Sequence, residues 1–290
     1  MILDETYTLS NGVKIPKLGL GTWFIDDQDV ALAVNEAVNI GYRHFDTAQA
    51  YGNERGVGEG IATCGIARED LFVTSKLAAE IKDHAGATRA IDETLNKMGL
   101  DYLDLMLIHS PQPWQDFRGQ DPFYAGNLEA WRALEDAYRA GKVRAIGVSN
   151  FLQSDLENLI ENGEIMPMVD QLLVHAGNTP FELLDYCQKQ DILVEAYSPI
   201  AHGKAFEDKT IEQLAAKYNV SIPQLCIRYA LQLGTVPLPK TADPEHMADN
   251  AKVDFVISEA DMDTLKHLKA LDYGDSSEFP VFSAKNQAKN

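Results

Sequence analysis

Three short apolar runs in the first half of the chain each end on an ionisable residue: Tyr42 to Asp46, Leu71 to Lys76 and Leu103 to His109. Asp46 and Lys76 lie 30 residues apart, and Lys76 and His109 lie 33 apart. That interval matches one strand plus one crossover helix of a βαβ unit. Residues repeating with it gather at one end of a parallel sheet, and in a closed (β/α)8 barrel that end carries the active site. Tyr51 follows Asp46 by five residues. The spacing therefore directs acid, base and orienting groups toward one pocket.

The rest of the chain continues the alternation. Eight strand candidates can be counted: Leu18 to Gly21, Tyr42 to Asp46, Leu71 to Lys76, Leu103 to His109, Val143 to Ser149, Met166 to Gln171, Ile192 to Tyr197 and Val236 to Pro239. Helical spacing separates them. Leu128, Trp131, Leu134 and Tyr138 share one face before Gly141, and Ile211, Leu214, Ala215 and Tyr218 share another. Ser221 and Gln224 form a capping-box pattern for a helix from Ile222 to Gly234. The segment Thr6 to Pro16 alternates about Asn11-Gly12, a hairpin signal because both residues tolerate positive φ. The expected fold is α/β, a (β/α)8 TIM barrel with an N-terminal β-hairpin cap, as one domain over residues 1–290. An open doubly wound sheet would have fewer strands and a glycine-rich first turn.

Composition narrows the function. The formal net charge of -19 argues against a nucleic-acid or anionic-membrane surface, which needs a surplus of Lys and Arg. Cys64, Cys187 and Cys226 are scattered and form no CxxC, so a disulfide framework or structural zinc site is not expected, and a reducing cytosol fits. The N-terminus lacks a basic start followed by an apolar core, and no apolar stretch approaches the ~18 residues of a membrane span. The expectation is a soluble cytoplasmic protein without nucleic-acid or membrane partners.

Five segments, in order, resemble the motifs of the aldo-keto reductase family: GYRHFDTAQAYGNE (Gly41 to Glu54), MGLDYLDLMLIHSP (Met98 to Pro111), GKVRAIGVSNF (Gly141 to Phe151), AYSP (Ala196 to Pro199) and LPKTADPEHMADN (Leu238 to Asn250). That family is a (β/α)8 barrel using a nicotinamide cofactor without a GxGxxG turn. The resemblance implies a catalytic tetrad of Asp46, Tyr51, Lys76 and His109. The chemistry suits them. Carbonyl reduction needs a hydride at carbon and a proton at oxygen. Free tyrosine, with a pKa of about 10, is a weak acid at neutral pH, and an adjacent lysine ammonium lowers that value. Asp46 would hold Lys76 charged, and His109 would bond the substrate carbonyl.

The resemblance further implies cofactor contacts at Thr22, Trp23 and Asp46, at Ser149, Asn150 and Gln171 with the nicotinamide carboxamide, and at Tyr197 as the stacking aromatic. Ser198 and Ile200, with Gly203 and Lys204, would line the pyrophosphate. Lys240 and Thr241 would meet a 2′-phosphate, and Asn250 the adenine. Asp170 stands where the family has Asn. His246 stands where Arg is common, and Asp243 where the family has a neutral or basic residue. NADPH is the expected cofactor, with NADH as the alternative. Trp23, Tyr51, His109 and Trp114 are the expected substrate contacts, while Phe117, Phe123 and Tyr124 pack the same loop. Ser110 and Ala78 replace bulkier residues and widen the pocket for a small-molecule carbonyl compound. The tail after Asp275 is short for a role in substrate selection. A monomer or weak homodimer is expected.

Two other readings stay open on the residues alone. His44, Asp46, His109 and His175 could ligate a divalent ion in a barrel hydrolase, although Lys76 beside a cation would repel it. A non-catalytic nicotinamide-sensing subunit would use the same cofactor site.

Overall fold

The computed structural model describes residues 1–286. Two short strands, β1 (Thr6–Thr8) and β2 (Lys14–Pro16), pair antiparallel with Tyr7 opposite Ile15. Their turn differs from the expected one. Leu9 accepts from the Gly12 amide at 2.8 Å and donates to Val13 O at 2.8 Å. Only Gly12 takes positive φ, at 88°. This is a three-residue connection with glycine in the left-handed position, so Asn11 needs no unusual backbone. Its side chain instead ties the hairpin to the barrel by donating to Arg144 O at 2.9 Å.

The main sheet has eight strands: β3 (Leu20–Gly21), β4 (His44–Asp46), β5 (Phe72–Leu77), β6 (Leu103–Ile108), β7 (Val143–Ser149), β8 (Val169–Leu173), β9 (Leu193–Tyr197) and β10 (Val236–Leu238). All are parallel, and the order runs consecutively from β3 to β10. Closure is made by the Gly21 amide donating to Pro239 O at 3.0 Å and by a parallel bridge from Gly21 to Lys240. A β-carbon at Gly19 would lie 2.7 Å from His44 Nδ1 and from Leu238 Cδ2, so the seam admits only glycine there. Every residue of β5 and β6 is buried, because one face fills the barrel and the other meets helices.

The helical layer comprises α1 (Val30–Ile40), α2 (Glu54–Thr63), α3 (His84–Met98), α4 (Tyr124–Arg139) and α5 (Gln153–Asn162), then α6 (Phe181–Lys189), α7 (Lys209–Tyr218) and α8 (Ile222–Gln232), and finally α9 (Pro244–Asn250) and α10 (Glu259–Lys266). In α4 the residues Ala130, Trp131, Leu134 and Ala137 form the buried stripe. Gly141, at φ 74°, ends it as expected: its amide donates to Tyr138 O and that of Lys142 to Ala137 O. Helix α8 begins at the expected capping box, Ser221 Oγ accepting from the Gln224 amide and Gln224 Oε1 from that of Ser221. Among the described residues, no helix is long and apolar enough to cross a membrane.

The alternation of strand side chains decides what enters the barrel. His44 and Asp46 on β4, two residues apart, point inward, as do Gln171 on β8 and Glu195 on β9. Asp170 points outward, toward the helices, and is absent from the cavity lining. Burial pushes its carboxyl well above the usual range.

Candidate active site

The C-terminal strand ends open into one cavity of about 980 Å³. Its floor is built around Lys76, which is fully buried. The Nζ donates to Asp46 Oδ2 at 2.7 Å, to Thr47 O at 2.9 Å and to the Tyr51 hydroxyl at 3.2 Å. Three donors meet three acceptors, which is what a buried ammonium requires. Burial works against its charge, but Asp46 and Tyr51 more than offset this, and Lys76 titrates above an ordinary lysine. Thr22 lies behind this cluster and off the cavity wall, its hydroxyl donating to Asp46 O at 2.9 Å. It braces Asp46.

Tyr51 sits on a short 3-10 turn, Gln49–Tyr51, that brings its ring over Lys76 at 4.8 Å. Burial raises its phenol above the ordinary value, and Lys76 pulls the other way without overcoming it. Lys76 thus acts in the expected direction, while burial sets the net direction. His109 packs edge-on to Tyr51, centroids 5.7 Å apart, and to Trp114 at 5.0 Å. Burial, with Lys76 adding to it, holds His109 well below the usual histidine range, so the ring is neutral at physiological pH. One nitrogen then carries a hydrogen to donate.

The later strands line the same cavity. Ser149 Oγ donates to Gln171 O at 2.9 Å, and the Tyr197 hydroxyl donates to Asn150 Oδ1 at 2.7 Å. The Asn150 amide also donates to His109 O and Ser149 Oγ, each at 3.1 Å. Its side chain is thus already committed to bonds within the protein. Gln171 differs: its Nε2 donates to Asp46 Oδ1 and Glu195 Oε2, both at 2.8 Å, so its carbonyl oxygen remains as the amide's acceptor. Ser198, Ile200 and Gly203 reach the wall, whereas Lys204 does not and pairs with Glu207 at 2.8 Å. The far end is formed by Lys240, Thr241, His246 and Asn250. Asp243 is occupied otherwise: it caps α9, its Oδ1 accepting from the amides of Glu245 at 2.8 Å and His246 at 3.4 Å.

Several lining residues carry no motif. Phe279, Pro280 and Val281 of the tail close one side, and Phe279 meets the Trp23 ring edge-on at 5.4 Å. The short tail therefore reaches the pocket. Arg118 fastens it, donating to Asn286 Oδ1 at 2.8 and 3.2 Å and to Asn150 O at 2.8 Å. The apolar cluster FPVF within a polar tail was the sequence signal for this contact. Phe24, His202 and Phe206 complete the rim. Of the loop aromatics only Trp114 lines the cavity; Phe117 is buried beneath it, and Phe123 and Tyr124 start α4. The four residues of the metal-site reading do not converge: His175 bonds Tyr273 Oη at 2.6 Å, and His44 lies against Glu195 at 3.4 Å. Among the described residues no three His, Cys, Asp or Glu side chains are grouped to hold a metal ion.

Fold and cavity define a barrel enzyme with its polar cluster at the C-terminal ends of the strands. The chain belongs to the Aldo/keto reductase family, whose profile matches residues 17–270. It is 42% identical over 268 residues to glyoxal reductase of Bacillus subtilis, covering 92% of this chain and 93% of that protein. A solved aldo/keto reductase from Brucella melitensis superposes with a TM-score of 0.84 at 38% identity, over 90% of this chain and 98% of the other. An aldo-keto reductase from Bombyx mori, solved in complex with NADP, gives a TM-score of 0.81 at 32% identity, over 96% and 98%.

Proposed function

We propose that the chain reduces aldehydes and ketones to alcohols at the expense of NADPH, with Tyr51 as the proton donor. The observation that carries this is Lys76, a buried ammonium bonded at once to Asp46 and to the Tyr51 hydroxyl. When bound, the nicotinamide supplies a hydride to the carbonyl carbon. Tyr51 keeps its proton because burial raises its phenol. It releases that proton as negative charge grows on the substrate oxygen, and Lys76 beneath it stabilises the phenolate left behind. The neutral His109 donates a second hydrogen bond to the same oxygen and orients the carbonyl face.

The cavity suits a dinucleotide. At about 980 Å³ it has room for one, and its lining includes Tyr51 and Gln171 as well as Lys240, His246 and Asn250. The Gln171 carbonyl matches the amide of a carboxamide, and Tyr197 offers a flat face beside it. Lys240 supplies the cation a 2′-phosphate needs, and His246 adds a hydrogen bond rather than the charged fork of an arginine. With Asp243 turned into its helix cap, NADPH is favoured over NADH. The similarity to a glyoxal reductase favours short dicarbonyls and hydroxylated carbonyl compounds; Ser110 and Ala78, expected to widen the pocket, are not among the residues lining the cavity.

A panel of aldehydes, ketones and dicarbonyls, assayed with NADPH and NADH by loss of reduced-nicotinamide absorbance, tests the reading. Turnover with short dicarbonyls and preference for NADPH are expected. No turnover of any carbonyl compound, with cofactor binding intact, would favour a nicotinamide-sensing role instead.

A further inference from the structure

Beneath the floor lies a second carboxyl group that the proposed chemistry does not use. Glu195 is fully buried in the barrel, two residues before Tyr197 and level with Gln171 in the β8–β9 register. Its Oε2 accepts from Gln171 Nε2 at 2.8 Å, and the same nitrogen donates to Asp46 Oδ1 at 2.8 Å. Two carboxyl groups thus flank one amide nitrogen, and both hydrogens of that nitrogen are spent. The Gln171 carbonyl is thereby fixed as the atom presented to the cavity.

The charge balance is unequal. Lys76 pairs directly with Asp46, and among the described residues no Lys or Arg is paired with Glu195. The groups facing it are His44 and Asp46 from β4, Lys76 from β5 and, farther off, Tyr51; β10 brings Val236 alongside it and no charge. Burial first, and Asp46 second, push the Glu195 carboxyl up to about 8. Burial, with Lys76 adding to it, lowers His44, 3.4 Å from Glu195 Oε1, to about 3. Both shifts favour the uncharged forms, a protonated Glu195 carboxyl beside a neutral His44 imidazole.

We propose that Glu195 is a positioning residue: it pins the Gln171 amide with its carbonyl toward the cofactor, and by losing its proton it tilts the site from the neutral reduced nicotinamide toward the cationic oxidised one. This rests on the reading of a nicotinamide site at Gln171. A carboxylate formed beside Gln171 would attract the positive charge that only the oxidised form carries. The two forms share every phosphate, so the ratio of their affinities cancels titration at Lys240, His246 and the 2′-phosphate.

The test is a titration of NADP+ and NADPH, followed by quenching of tryptophan fluorescence from Trp23 and Trp114, at about pH 6.5 and about pH 9.5 on either side of the carboxyl's transition. For the parent, affinity for NADP+ relative to NADPH is expected to rise by about tenfold across that range. In Glu195→Gln, which keeps an acceptor for Gln171 and is always neutral, the ratio stays flat and NADPH binds as in the parent at the lower pH. In Glu195→Leu both forms bind about tenfold more weakly at either pH, because the amide loses its hold. A flat ratio in the parent, or a ratio in Glu195→Gln that moves as the parent's does, overturns the proposal while leaving the nicotinamide site standing. Failure of the parent to bind either form would overturn both.

Thermal melts give a readout independent of cofactor. A carboxyl raised in the folded state stabilises fully below the unfolded value of about 4.3 and loses that contribution as pH climbs through the folded value. Melting of the parent should therefore fall relative to Glu195→Gln between about pH 4.5 and the carboxyl's transition near 8. Parallel melting curves across that window would contradict the assignment of the proton to Glu195.

Discussion

The two ends of the cavity are built on different principles. At the floor, Lys76 has no exposure, and three acceptors surround its Nζ. At the far end, the His246 side chain is 72% exposed and lies 3.9 Å from Asp243. A buried charge cannot exist without its partners, so the floor forms as a set or not at all. An exposed one pairs weakly and is free to vary. On the proposed function, the difference places the reaction in the interior and cofactor choice among replaceable residues at the rim.

Substitutions can break that contrast at either end. The largest effect is expected from Tyr51→Phe, which deletes the proton donor while keeping the ring: kcat for carbonyl reduction falls by about 10²- to 10⁴-fold, with NADPH affinity preserved in a fluorescence titration. Next, Lys76→Met leaves Asp46 buried without its counter-ion. Removing one partner of a buried pair costs about 3 to 5 kcal/mol, to be read as a lower denaturant midpoint at unchanged slope, alongside loss of turnover.

At the rim the effects are smaller and selective. His246→Arg offers a charged fork to the 2′-phosphate and should tighten NADPH by roughly tenfold without changing NADH. Unchanged NADPH affinity would mean that His246 does not face the phosphate. Asp243→Ala should cost only about 1 kcal/mol of stability, as loss of a helix cap does. Tighter NADPH binding in that variant would instead show the carboxylate repelling the phosphate.

The same contrast explains what was legible in the sequence. Asp46, Lys76 and His109 could be found because strand ends repeat with the βαβ interval, and the barrel followed from eight strand-like apolar runs. Ser221 and Gln224 announced α8 because a capping box is a local signal. What failed to show were contacts between distant segments. The tail reached the cavity through Phe279 and the Arg118–Asn286 bonds, 168 residues apart in sequence. Nor does spacing reveal that Thr22 turns back to Asp46, that Lys204 pairs with Glu207, or that Asn150 spends its amide on His109 and Tyr197. Glu195 was visible only as a charge within the strand-like run LVEAY. Its importance emerged when β9 was placed beside Gln171.

The central claim is that Lys76 acts on the reaction through Tyr51, and a double-mutant cycle addresses it most directly. Turnover would be measured for Tyr51→Phe, for the charge-neutral Lys76→Met and for the pair, with cofactor saturating. If the lysine works by stabilising the phenolate, its removal has nothing left to weaken once the hydroxyl is gone, and the double variant should be no slower than Tyr51→Phe to within about twofold. Single effects that multiply in the double variant would contradict the account, placing Lys76 in a role separate from the proton donor.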